Sequence, residues 1–143
     1  DADPARIGAS SLMCSGIELN GEMHLWRDAE VKLPVLNKDG SISWLRWGER
    51  HGVKSAFVQG PCARLDSIQL GKWQRFNPVP VKIPIDRYME RDNKGAPYWV
   101  KVQAGQYLQG LVATVNDEQR VYVVTVEAPK EFRHVSERWP RII

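Results

Sequence analysis

Near the start of the chain, Met13-Cys14-Ser15-Gly16 holds the residue with the greatest chemical potential, Cys14. Cleavage after Met13 would leave Cys14 with a free amine and a thiol on adjacent carbons. Such a 1,2-aminothiol does what no internal cysteine can. Its amine condenses with an aldehyde to an imine, losing water, and its thiolate then adds to the same carbon and closes a five-membered thiazolidine ring. An α-amine titrates at about 7.7–8.0 and a free thiol at about 8.5, so both nucleophiles are partly available at neutral pH. Kept internal, the same cysteine is a packed thiol at a strand start.

Little else clusters by type. Cys14 and Cys62 show neither metal-ligand spacing nor a disulfide framework. His24 has no second ligand type near it and reads as a strand-face residue. Glu49 to Lys54 is a polar loop with three potential cations, Arg50, His51 and Lys54. No metal and no organic cofactor is called for.

The 143 residues make one domain, with residues 1–12 as a small, polar, aperiodic leader outside the core and residues 13–143 as the folded part. Hydrophobic residues at 43% and charged residues at 26% describe a globule and exclude a disordered chain. Lys plus Arg number 20 against 17 Asp plus Glu, so the net charge of +3 permits an anionic partner without demanding one. No apolar run approaches the roughly eighteen residues of a membrane span, and the leader lacks the features of a secretory signal. A reducing cytoplasm is the default for such cysteine usage.

The elements that must position these residues are mostly strands. Asn20-Gly21 between apolar flanks predicts a hairpin. Asn37 to Gly40 joins two apolar segments into a second. In Ile42 to Gly48, Ile42, Trp44 and Arg46 fall on one face and Leu45 and Trp47 on the other, with large apolar groups on both. Trp44 and Trp47 are core residues by pattern, and Trp47 is also a candidate for stacking. Phe57 to Ser67 reads as a strand, a turn and a short helix starting near Asp66 or Ser67. Pro78 to Ile85 alternates proline with β-branched residues, so it is an edge or irregular strand. Tyr98–Val102, Tyr107–Val115 and Arg120–Glu127 predict a three-strand meander. Pro129 to His134 predicts one or two helical turns. The fold class is therefore mainly β (α+β): a single-domain pseudo-barrel of twisted antiparallel strands with a few short helices.

In this order the chain resembles the SRAP family, the SOS-response-associated peptidases or abasic-site-processing proteins. The matching blocks are Met13-Cys14-Ser15-Gly16, Leu45-Arg46-Trp47-Gly48, Cys62-Ala63-Arg64-Leu65-Asp66-Ser67, Tyr88-Met89-Glu90-Arg91, Pro97-Tyr98-Trp99-Val100, Tyr122-Val123-Val124-Thr125 and Val135 to Ile143. Their order and spacing agree from residue 13 to the end, and the length matches a short, phage-type member. Four features depart from the family pattern. Ser15-Gly16 stands where the family has Gly-Arg. Cys62 stands where it has Asn. The family histidine falls on Ser136, with His134 two residues earlier. An expected Asn-x-Ala-Pro segment is missing.

The resemblance implies roles. Cys14, once N-terminal, would capture the ring-opened aldehyde of an abasic site in single-stranded DNA, with self-processing or peptidase-like chemistry at the same residue. Glu90 would act as general acid/base at the amine and the sugar. His134 would take the vacant histidine role. Arg64 would hold a phosphate with its forked donors, with Cys62 beside it at the aligned Asn position. Arg46 and Trp47, with His51 and Lys54, would line a single-strand groove. From the residues alone, Arg64 could instead pair with Asp66, and Cys62 could be a packed thiol. A degenerate member that keeps the groove without covalent chemistry is the alternative.

Overall fold

The computed structural model describes residues 15–143. The expected leader and Cys14 lie outside the described residues.

The strands in chain order are β1 (Gly16–Leu19), β2 (Glu22–Leu25), β3 (Lys32–Leu36), β4 (Ile42–Trp47), β5 (Cys62–Arg64) and β6 (Val79–Ile83). They continue with β7 (Arg87–Arg91), β8 (Pro97–Lys101), β9 (Leu108–Val115), β10 (Glu118–Glu127) and β11 (Arg138–Pro140). A short helix α1 (Leu65–Gln69) follows β5, and 3₁₀ turns occupy Gln74–Phe76 and Lys130–Phe132.

Turn chemistry sets the hairpins. Asn20 and Gly21 both have positive φ, 52° and 81°, the geometry of a tight two-residue connection that Asn-Gly tolerates best. Asn116 and Asp117 do the same between β9 and β10, at 48° and 68°.

Two sheets result. One is antiparallel in the order β2-β1-β7-β8. In the other, β10, β4, β3, β6 and β9 follow one another and β9 returns to β10, which closes a five-stranded barrel. β5 and β11 attach to β10 outside the ring.

β10 lies between two cores. Val121 and Val123 face a cluster that joins Leu33, Trp47, Ile83 and Leu108 of the barrel to Ile17 and Tyr88 of the four-stranded sheet. Trp139 closes that cluster, with its ring 5.6 Å from Tyr88 and stacked at 4.7 Å on Phe132. On the other face of β10, Tyr122 and Val124 pack against Trp73, Phe76 and Leu111. A strand covered on both faces needs apolar residues at every position, and Val121 to Val124 supply them.

Gly48 is required where β4 ends. Its φ is +56°, and a Cβ there would lie 2.2 Å from the Gly60 carbonyl oxygen. This close approach ties the loop from Glu49 to Gly60 to the barrel, and the Tyr122 hydroxyl donates to the Val58 carbonyl at 2.5 Å to hold it from the other side.

Several expectations need correction. The predicted meander is split: β9 and β10 form a hairpin, but β8 pairs β7, from Arg87↔Lys101 to Arg91↔Pro97. The Asp92–Gly95 turn explains this. Gly95 N–H donates to the Asp92 carbonyl and Ala96 N–H to the Asp92 carboxylate, both at 2.9 Å, so the nearest strand in sequence is captured first. Not every pairing is antiparallel: β4 and β5 both run parallel to β10, as their long connections allow. Phe57 to Pro61 is loop rather than strand. The proline-rich β6 makes five register pairs with β9 but only Leu36↔Lys82 with β3, so one of its sides behaves as an edge.

Candidate functional site

The site is assembled around β7. Alternation along this strand turns Tyr88 and Glu90 to one side and Met89 to the other. Glu90 is fully buried. One neighbour of β7 is β1, in the register Gly16↔Met89, and the Ser15 N–H donates to the Met89 carbonyl at 2.8 Å. Ser15 is thus one step beyond the last β1–β7 pair, beside Glu90. It is buried, and its hydroxyl has no hydrogen-bond partner among the described residues. The other neighbour is β8, where Tyr98 pairs with Glu90.

β5 brings the second group. Alternation puts Cys62 and Arg64 on one face and Ala63 in the second core. The Cys62 thiol is pushed far up, first by burial and then by the negative charge of Glu90, with the Arg138 cation opposing. At neutral pH it is a thiol, not a nucleophilic thiolate. The same interactions set Glu90 and Arg138 near Cys62.

Arg138 is a residue that sequence reasoning missed. Its Nη2 donates to the Thr125 carbonyl at 2.8 Å and to the Thr125 hydroxyl at 3.2 Å, while its buried Nε has no hydrogen-bond partner among the described residues. Burial and the like charge of Arg64 both work against its cation. The signal was its place in the Arg138-Trp139-Pro140 block, which was matched as a block without nominating the arginine.

Arg64 is exposed and already engaged. Its Nε and Nη2 donate to the two carboxylate oxygens of Asp66 at 3.1 and 3.0 Å. That pairing holds the Asp66 carboxyl down to about 2. Arg64, Arg133 and Arg138 line a polar cleft of about 340 Å³ with Glu127 and Glu137, and Arg133 is paired to Glu127 at 2.8 Å.

His134 is exposed beside this group, its ring 6.4 Å from Tyr98, the residue that pairs with Glu90. At the aligned position, the Ser136 hydroxyl accepts the Arg138 N–H at 3.3 Å.

Trp47 is a correction. It is 2% exposed, its indole N–H donates to the Pro61 carbonyl at 3.0 Å, and its ring meets Trp26 edge-on at 5.4 Å. A ring held this way cannot stack on a base. The exposed tryptophan is Trp44, 41% accessible and 4.9 Å from the His24 ring. Arg46, on the Trp44 face of β4, lies near Arg50, which itself covers the Trp26 ring at 3.8 Å. His51 and Lys54 stand exposed in the following loop.

Glu90, Cys62 and Arg64 are therefore brought together with Arg138, and His134 joins them at the rim through Tyr98. Among the described residues, no group of three or more His, Cys, Asp or Glu side chains could hold a metal ion. No helix among them is long and apolar enough to cross a membrane. Compared with known proteins, the chain matches no family model and no curated protein.

Proposed function

We propose that this chain is an SRAP-type protein that binds single-stranded DNA and captures abasic sites covalently through Cys14. Self-processing, the hydrolysis of the Met13–Cys14 peptide bond, would free the amine. That amine attacks the C1′ aldehyde of the ring-opened sugar and forms an imine with release of water. The thiol then loses its proton and adds to the same carbon, while the imine nitrogen takes up a proton to become the ring amine. Glu90 is the group that delivers and removes these protons. Arg138 and Arg64 meet the flanking phosphate, and His134 assists from the rim.

One observation carries this reading: the hydrogen bond of the Ser15 amide to Met89. Ser15, the next residue after Cys14 in the sequence, is thereby fixed beside Glu90. The test is a protein trimmed to begin at Cys14, incubated with an oligonucleotide carrying one abasic site. A heat-stable adduct that is lost in Cys14→Ala and lost when the leader is retained supports the proposal. Binding without an adduct overturns it.

A second reading, a single-strand binder without covalent chemistry, is favoured by the Arg64–Asp66 pair and by Ser136 at the histidine position. Ser136→His separates the two: gain of an adduct that the parent lacks marks lost chemistry on a retained scaffold.

A further inference from the structure

A cleft away from Glu90 is lined by residues of β3 and β6. Those strands share the single pair Leu36↔Lys82, whereas β6 makes five pairs with β9 and β3 five with β4. Pro34 and Pro80 lie in these two strands and have no N–H to donate to a ladder. The opening encloses about 720 Å³, within the range of small-molecule sites. It shares no lining residue with the arginine cleft beside Glu90.

Its chemistry is one-sided. Val35, Val79 and Val81 give it an aliphatic wall, and Val79 is 53% exposed, unusual for a valine in a strand. Lys38, Lys82 and Arg141 give it a cationic margin, and among the described residues no acidic side chain lines it. Two of the cations are held in position: the Lys82 ammonium stands 5.2 Å over the Tyr107 ring, and the Arg141 guanidinium donates to the Gln109 side chain. Cations fixed before binding lose less freedom when an anion arrives. Among the described residues no aromatic ring lines the wall, so they offer no stacking surface for a nucleic-acid base.

We propose that this cleft binds a small organic anion with an alkyl or aryl body, the body against Val35, Val79 and Val81 and the acid group between Lys38, Lys82 and Arg141. The three cations select the charge, and Val79, the exposed valine, gains from losing water.

The probe is 1-anilinonaphthalene-8-sulfonate, an aryl anion, with its uncharged relative N-phenyl-1-naphthylamine as comparison. The parent protein should bind the sulfonate saturably at one site and at least tenfold more tightly than the neutral amine. Lys38→Glu with Lys82→Glu, both exposed, should weaken the sulfonate at least tenfold with the thermal midpoint unchanged. Methyl NMR signals of Val35, Val79 and Val81 should shift on titration. Equal affinity for charged and neutral probes, unchanged affinity in the double variant, or shifts confined to other residues would overturn the proposal. Single-strand DNA binding by the same variant gives an independent reading, because the cleft near Glu90 keeps all its residues.

Discussion

Arg64 and Asp66, two residues apart at the end of β5, grip each other through two hydrogen bonds of 3.1 and 3.0 Å. A phosphate approaching Arg64 must compete with that carboxylate. Asp66→Asn should therefore strengthen single-strand DNA binding by about threefold at low salt and steepen the slope of log affinity on log salt by roughly 0.7, the value for one released counterion. Fluorescence anisotropy against a salt series reads both. Asp66 titrates at about 2, so its grip persists at every pH above that value and is lost only as the pH falls through it. A change in DNA affinity between pH 5 and 8 therefore has another source.

In the proposed mechanism, Glu90 separates chemistry from binding. Glu90→Gln keeps the shape of a fully buried side chain and removes its proton exchange. The rate of adduct formation by the trimmed protein should fall by roughly a hundredfold or more, with single-strand affinity within about twofold of the parent. Quenched-flow gels and anisotropy on the same preparation give the two numbers.

The two tryptophans of β4 should respond in opposite ways. Trp47→Ala removes a ring from the main core and should cost about 3–5 kcal/mol in urea unfolding. Trp44→Ala should cost less than about 1 kcal/mol, because 41% of its surface is already in water.

Arg120 crosses from β10 to the loop after β4. It donates to the Gly48 carbonyl at 2.9 Å and pairs with Glu49 at 3.3 Å and Glu118 at 2.7 Å. Arg120→Met leaves Glu49 buried without its countercharge and should cost about 3–5 kcal/mol. Burial opposes the Glu49 charge, but the Ser55 hydroxyl, the Arg50 amide and Arg120 outweigh it and hold its carboxyl below the ordinary value of 4.5. The unfolded chain therefore takes up the proton first. Stability is fully present above about pH 4.5 and declines as the pH falls. Urea midpoints between pH 3 and 7 should show a shallower decline in the variant.

Much of the local structure was legible in the residues. Asn20-Gly21 and the Asn37–Gly40 loop marked their hairpins, and Arg120 to Glu127 read as a strand. The alternation of Trp44 and Trp47 was legible too, but not which of them points inward, because both faces of β4 carry large apolar groups and only the partner surface decides. The pairing of β8 was hidden for a related reason: Tyr98 to Val100 suits either sheet, and the Asp92–Gly95 turn settles the choice. Glu90, Arg64 and Cys62 could be named through a resemblance, but their neighbour Arg138 could not. Arg138 gains its place near Cys62 because β11 pairs with β10, a contact with no trace in local sequence.

β10 hydrogen-bonds with β4, β5, β9 and β11, so the strand on which the others depend is synthesised after three of its four partners. A ribosome must release the chain through about residue 127 before the barrel can close. Until then β3, β4 and β6 wait with exposed apolar surface, open to chaperones and to one another. With so many distant contacts to form, closure of the barrel should be slow.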